Sequence, residues 1–301
     1  MSVRFAPSPT GTFHIGNLRT AWISHLLAKK LAEKWVLRFE DIDKPRVLAG
    51  AQESQLADMQ SLGMVPDEVL VQSQYYDRHV ALFNEFKKRG WVYPCFCSRK
   101  QVRDALDLMA SAPHDNPAQY NGACRYLTEF PNHNLPTIGW RLKMPAASGV
   151  QDFIIGRTNA TDPIANPGEG GGFVPAYNWA CAIDDYDGHY DLLVRAWDLA
   201  SALAFQRAIQ SKIAELEGSR FDYPAVFYCS LVVQNDGHRL EKRTKGVTLA
   251  ELIKGGISVE GVLNCFKRSF DIPNLQFPKG ALLGEENHVL RLNQLQLPLI
   301  D

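Results

Sequence analysis

No run of about 18 uninterrupted apolar residues occurs anywhere in the 301-residue chain, so the sequence offers no candidate membrane-spanning helix. The N-terminus Met1-Ser2-Val3-Arg4-Phe5 lacks the charged-then-apolar layout of a secretory signal, and the expected compartment is the cytoplasm, with no membrane partner. An excess of charge of either sign is also missing: 32 basic and 33 acidic residues leave a net charge of −1. That balance excludes a globally basic nucleic-acid binder, and any contact with nucleic acid has to come from a local cluster of Lys and Arg. No G-x-G-x-x-G follows the first strand, which removes a plain dinucleotide-binding oxidoreductase from consideration. There is no internal repeat and no long low-complexity segment. Cysteine is sparse, with six residues at 95, 97, 124, 181, 229 and 265. In a reducing compartment these are thiols or metal ligands before they are disulfides.

What remains is the composition of a globular protein, 46% apolar and 22% charged. The length suits one large domain, or a core carrying an insertion. The first 45 or so residues read as strand, loop, helix, strand. Val3 to Ala6 is short and β-like, and Pro7 and Pro9 then remove backbone donors so that the strand cannot continue. A helix is expected from about 16 to 33, with Ile15, Leu18, Trp22, Leu26 and Leu31 roughly on one face, and Trp35 to Phe39 reads as the next strand. This is a βαβ unit with a parallel pair, the opening of a Rossmann-type α/β sheet. Further helices are expected near 49–63, 77–90 and 198–217. Strands are expected near 178–184, 190–196 and 225–233. The predicted organisation is a catalytic-type core at 1–94 and 177–247, an inserted subdomain at 95–176, and a short helical C-terminal region at 248–301.

Two loops look suited to phosphate. The first runs from Arg4 to Gly11 and continues into His14-Ile15-Gly16-Asn17 at a helix start, where backbone N–H groups and the helix dipole favour an anion. Taken alone, His14-x-Gly16 is also an ordinary strand-to-helix turn, the commoner reading for so short a pattern. The second is Asp236-Gly237-His238-Arg239-Leu240-Glu241-Lys242-Arg243, a turn followed by clustered cations that can close over a triphosphate. By itself that stretch reads better as a solvated basic loop after a turn. The cysteines at 95, 97 and 124, with Tyr120 between them, can supply a tetrahedral zinc shell or can be buried thiols. Cys181, Cys229 and Cys265 have no partner pattern and read as core.

Together and in this order the segments resemble the glutamyl-tRNA synthetases, class I aminoacyl-tRNA synthetases, over roughly residues 3–245. His14-Ile15-Gly16-Asn17 matches the HIGH signature except at its last position, and Arg239 to Arg243 stands where the family has KMSKS. Arg38-Phe39-Glu40-Asp41-Ile42-Asp43, Gln72-Ser73-Gln74, Asp184-Asp185 and Val194-Arg195-Ala196-Trp197-Asp198 extend the likeness. The resemblance implies glutamate contacts at Arg4, Ala6, Ser8, Glu40, Tyr177 and Arg195. It implies ATP contacts at His14, Gly16, Asn17, Arg239 and Lys242, with His14 and Lys242 catalytic and Mg²⁺ accompanying ATP. The chemistry agrees: glutamate has two carboxylates and an ammonium, and its site needs at least two cations and an anion.

Tyr120-Asn121-Gly122-Ala123-Cys124-Arg125 after Cys95-Phe96-Cys97 is similar to the insertion of the short paralogues in this family, which place glutamate on queuosine at the wobble position of tRNA(Asp). That likeness implies a Zn²⁺ site at Cys95, Cys97, Tyr120 and Cys124. Only about 55 residues follow the basic loop, and the expectation is a chain without an anticodon-binding domain. It would be a monomer whose partners are glutamate, ATP and the tRNA(Asp) anticodon arm. The departures are Asn17, Arg239 in place of the first Lys, and Glu241 in place of Ser. A carboxylate beside a triphosphate costs roughly several kcal/mol unless Lys242 or Arg243 pairs with it. Tyr228 and Ser230 also replace a His and a Pro. Two other readings stay open at this point: a catalytic fragment of a full-length glutamyl-tRNA synthetase, and a diverged paralogue that binds glutamate or a relative without aminoacylation.

Overall fold

The computed structural model describes residues 2–98, 101, 120–129, 136–159, 172–238, 240, 247–270 and 277–295. In chain order these form β1 (Ser2–Phe5), α1 (Ile15–Leu31), β2 (Lys34–Phe39), α2 (Ala51–Ser61), β3 (Glu68–Val71), α3 (Tyr76–Lys88), β4 (Val92–Cys95), β5 (Thr137–Leu142), β6 (Phe153–Asn159) and β7 (Val174–Pro175). They continue with α4 (Tyr177–Asp187), β8 (Leu192–Ala196), α5 (Leu203–Glu217), β9 (Ala225–Cys229), β10 (Leu231–Val233), α6 (Leu249–Lys254), α7 (Val259–Ser269), β11 (Leu282–Gly284) and β12 (Val289–Arg291). The chain divides into two compact units. One comprises Met1–Ser73, Asp185–Leu203 and Arg220–Asp301; the other comprises Gln74–Asp184 and Ala204–Ser219.

The first unit is built on a six-stranded sheet of order β11-β9-β8-β1-β2-β3, parallel throughout. The chain moves outward from β1 through α1 to β2 and β3, and in the other direction from β8 to β9 and β11. The strand order therefore reverses between β1 and β8, the position where open α/β sheets bind ligands. One face of the sheet is apolar. Val3, Phe5, Leu37, Phe39, Val194 and Phe227 alternate inward against Ile15, Leu18, Trp22 and Ile23 of α1. The ring of Trp22 meets that of Phe270 edge-on, 6.3 Å between centroids, joining α1 to the end of α7. Burying an aromatic or branched side chain of this size contributes about 1.5–3 kcal/mol.

The second unit holds the antiparallel sheet β4-β5-β6-β7 with α3 and α5. His79, Leu82, Phe83 and Phe86 of α3 are buried at helical spacing. Phe83 stacks on Phe173 at 4.1 Å, and Phe86 meets Trp179 edge-on at 5.0 Å.

The helices expected near 49–63, 77–90 and 198–217 are present as α2, α3 and α5, the last preceded by a 3₁₀ turn at Trp197–Ala202. The strand expected near 178–184 is instead the helix α4. Its residues from Trp179 to Tyr186 are all buried, and the unbroken apolar run from Trp179 to Ile183 carries no periodicity that separates strand from helix. The expected strand at 225–233 is two strands, β9 and β10. The C-terminal region holds the expected short helices α6 and α7. It also adds two strands, β11 completing the edge of the main sheet and β12 pairing with β10. No helix among the described residues is long and apolar enough to cross a membrane.

Candidate active site

Strand alternation assembles the first part of the site. Arg4 lies opposite Val36 on β2 and Leu193 on β8, so Arg38 and Arg195, two residues further along those strands, share its face. All three sit at or near the carboxyl ends of adjacent strands, beside the reversal in strand order, on the face away from α1. They converge on Asp185. Arg4 gives Nε to Oδ1 at 3.1 Å and Nη2 to Oδ2 at 2.5 Å; Arg38 gives Nη1 to Oδ1 at 2.7 Å; Arg195 gives Nη2 to Oδ2 at 3.3 Å. Arg38 also donates Nη2 to Glu40 Oε1 at 3.0 Å. Arg4, Arg38 and Arg195 are each no more than 3% exposed and Asp185 only 1%. Burial alone would raise the Asp185 carboxyl, but the Arg4, Arg38 and Arg195 charges outweigh it and hold it well below the usual carboxylate range.

Of the residues expected to clamp glutamate, Arg4, Glu40 and Arg195 are thus joined in one buried network whose centre, Asp185, the sequence reading gave no role. Arg38 was passed over as well. Its signal was present in principle: it is two residues before Glu40 on a strand whose end was already assigned to the site. Ala6 and Ser8 lie on the loop leaving β1, half-buried and exposed respectively. That loop is strapped down. Glu40 N–H donates to the Pro7 carbonyl at 2.9 Å and Leu48 N–H to that of Pro9 at 3.0 Å. Gln55 Nε2 from α2 donates to the carbonyls of Ser8 and Gly11 at 3.2 and 2.7 Å. Gln55, 2% exposed, is a third residue that sequence reasoning missed. Tyr177, the first residue of α4, is exposed and belongs to the second unit.

His14 caps α1. Its Nδ1 accepts from the N–H groups of Gly16 at 3.1 Å and Asn17 at 3.3 Å. An Nδ1 that accepts carries no proton, so the neutral ring has its N–H on Nε2 and presents a donor there. Burial reinforces this by lowering His14 to about 4. Gly16 is fixed by the same geometry. A Cβ at this position would lie 3.0 Å from Val232 Cβ and 3.1 Å from the His14 ring. The segment entering α1 is held by Ile15 N–H donating to the Val247 carbonyl at 2.8 Å. Arg239 and Lys242 of the basic loop lie outside the described residues.

The second unit contains the thiol cluster. Cys95 ends β4 and Cys97 follows two residues on, while Tyr120 and Cys124 come from a tight turn. Cys124 N–H donates to Tyr120 Oη at 2.8 Å. Cys97 and Cys124 sulfurs are 3.5 Å apart, Cys95 Sγ is 3.7 Å from Tyr120 Oη, and the three sulfurs lie within 4.8 Å of one another. Tetrahedral zinc with arms of about 2.3 Å needs sulfurs about 3.8 Å apart, so the donor set fits that ion. Burial raises the Cys95 thiol, but hydrogen bonding and the charge of Arg141 outweigh it and leave a net lowering. Burial and the Cys95 charge push Cys97 up to about 12. Cys181, Cys229 and Cys265 are buried and take part in no disulfide, in keeping with their reading as core residues.

A parallel sheet with a buried cationic cluster at its strand ends, beside a helix start capped by histidine, is the arrangement of a class I synthetase core. Residues 1–268 match the family described as tRNA synthetases class I (E and Q), catalytic domain, and the chain belongs to that family. It is 35% identical to the glutamyl-Q tRNA(Asp) synthetase of Nocardia farcinica, covering 90% of this chain and 85% of that one. It is 31% identical to glutamate–tRNA ligase 2 of Syntrophus aciditrophicus, covering 87% of this chain and 56% of that one. Its fold matches the crystal structure of glutamate–tRNA synthetase from Elizabethkingia anophelis with a TM-score of 0.59 and 23% identity, over 81% of this chain and 52% of that one. The chain thus spans little more than half the length of the full ligases it matches.

Proposed function

We propose that the protein uses ATP to activate glutamate and transfers the glutamyl group to queuosine in the anticodon of tRNA(Asp). The observation that carries this is the likeness, at 35% identity across 85% of its length, to a glutamyl-Q tRNA(Asp) synthetase. The buried Arg4, Arg38, Arg195, Asp185 and Glu40 network supplies the charges that a dicarboxylic amino acid requires.

In the first step a glutamate carboxylate oxygen attacks the α-phosphorus of ATP. The bond to the bridging oxygen breaks, and pyrophosphate leaves with its electron pair. Arg4 and Arg195 orient substrate carboxylates. A guanidinium has five N–H donors, and Arg4 commits two of them to Asp185, which fixes the plane in which the rest are presented. Glu40, held by Arg38, faces the ammonium. The neutral His14 offers Nε2–H to phosphate oxygen at the positive end of α1, charge stabilisation that costs no reorganisation because the cap already fixes the ring. Mg²⁺ and Lys242 add charge neutralisation in this reading. In the second step a hydroxyl of the queuosine ring attacks the glutamyl carbonyl and AMP departs. Zinc, when bound at Cys95, Cys97, Cys124 and Tyr120, ties the turn at 120–127 to the end of β4.

The test is ATP–pyrophosphate exchange dependent on glutamate, measured with and without tRNA, on the wild type and Arg195→Ala. Exchange without tRNA that disappears in the variant supports the reading. Absence of exchange under every condition overturns it.

A further inference from the structure

We infer that Arg141 is a positioning residue of the thiol cluster, an outer partner that sets how tightly the three cysteines and Tyr120 hold a divalent soft-acid metal such as zinc. The inference rests on the reading of that cluster as a metal site and assigns a role to a residue outside the ligand set.

Arg141 lies on β5, opposite Tyr93 of β4, and the register of β5 with β6 shifts between Trp140 and Arg141. Such an irregularity re-aims a side chain. Here the guanidinium meets two of the prospective ligands at once. Its Nε donates to Cys95 Sγ at 3.2 Å, and its Cζ lies 3.5 Å from the centroid of the Tyr120 ring. A third contact anchors it, Nη1 to the backbone carbonyl of Asp152 at 3.1 Å.

Charge makes the arrangement informative. Arg141 is 7% exposed, and among the described residues no carboxylate pairs with it. The nearby Asp152 carboxylate is committed elsewhere: it accepts from Arg125 at 2.6 Å, Tyr93 Oη at 2.7 Å and Met144 N–H at 2.7 Å. A buried cation without a counter-charge is costly. Three thiolates around a divalent ion leave one net negative charge, which the one positive charge of Arg141 balances at hydrogen-bond distance. As the metal binds, each thiol gives up its proton to solvent. The Nε–H bond then becomes a charge-assisted bond to the Cys95 thiolate and fixes the direction of its lone pairs, while the stacked guanidinium fixes the ring that carries the fourth oxygen.

The experiment is a competition titration of the full chain with Zn²⁺ against a chromophoric chelator, on the wild type, Arg141→Met and Arg141→Lys. Absorption of the Co²⁺-loaded proteins is the second readout. Arg141→Met is expected to bind zinc about 10- to 100-fold more weakly. Arg141→Lys keeps the buried charge but neither the Nε bond nor the planar stack, and is expected to fall between. The thiolate-to-cobalt charge-transfer band moves in both variants, a change that a merely structural role would not produce. Equal zinc affinity in all three proteins, with the band unmoved, overturns the role of Arg141 while leaving the metal site standing. A wild type that takes up no zinc overturns the metal site and this inference with it.

Discussion

Arg19, on the second turn of the helix that His14 caps, makes a two-pronged ion pair with Glu285, 266 positions later in the chain: Nη1 to Oε2 at 2.8 Å and Nη2 to Oε1 at 2.6 Å. The same Oε2 accepts from Ser230 N–H at 2.6 Å, between β9 and β10. Arg19 also donates Nε to Ser269 Oγ and Nη2 to its carbonyl, at 2.8 and 2.7 Å. One carboxylate therefore ties α1 to the strands that lead to the basic loop.

Removing the charge of Glu285 leaves a guanidinium that is 1% exposed facing a neutral amide. Glu285→Gln is expected to destabilise the protein by about 3 kcal/mol, the lower end for breaking a buried pair because Glu285 itself is slightly exposed. Urea unfolding reads this directly. A loss below about 1 kcal/mol would mean that solvent screens the pair as it does on a surface.

His14 gives a pH signature. Burial takes it from 6.5 to about 4 in the folded protein. Between those values the unfolded chain binds a proton at this position that the folded chain does not, so stability falls as pH drops through the window. His14→Asn keeps a cap acceptor that does not titrate. The difference in unfolding free energy between the two proteins should be flat above about pH 7 and should move in favour of the variant as pH falls from 6.5 to 4. A difference that stays flat over the whole range contradicts the cap geometry. His14→Ala, which removes the acceptor, should cost about 1 kcal/mol at neutral pH.

Gly16→Ala presses a methyl group against Val232 Cβ and the imidazole of His14. The neighbours must give way, at a cost of about 1 kcal/mol. The greater effect is expected on turnover, because the displaced ring is the one proposed to face phosphate. Pyrophosphate exchange should fall on the order of tenfold with little change in the unfolding midpoint. Unchanged exchange would show that the His14 ring is not held by the contact with Gly16.

Asp185→Asn weakens the anchor shared by Arg4, Arg38 and Arg195. The expected loss is about 3 kcal/mol or more of stability at neutral pH, with a raised KM for glutamate. Because the folded carboxyl is held below the ordinary value of 3.8, its contribution is fully present above that value and is lost only as pH falls below it. The stability gap between wild type and variant should therefore hold from about pH 8 to about pH 5. A gap that closes near pH 6 would contradict the assigned pairing.

Much of this was legible in the sequence, for physical reasons. Pro7, Pro9 and the spacing of Ile15, Leu18 and Trp22 mark where β1 must stop and α1 must face, and the structure follows them. The cysteines at 95, 97 and 124 read from spacing alone as a zinc shell or as buried thiols, the resemblance implied zinc, and the structure brings the three sulfurs within 4.8 Å of one another. What was not legible depends on distance along the chain or on missing periodicity. Asp185 meets Arg4 across 181 positions and Arg38 across 147, and nothing local to either arginine names that partner. The stretch Trp179 to Ile183 is apolar at every position, so only its neighbours in space decide between strand and helix. The edge strand β11 is three residues long, too short to show an alternating pattern, and its partner β9 lies more than 50 positions earlier.

The central claim is tested most directly by incubating the protein with labelled glutamate, ATP and tRNA(Asp) prepared with and without queuosine, then digesting the RNA and locating the label. The account predicts label in the anticodon-loop fragment of the queuosine-containing tRNA only, and none with Arg195→Ala. Label at the 3′-terminal adenosine, or incorporation that does not depend on queuosine, would contradict it.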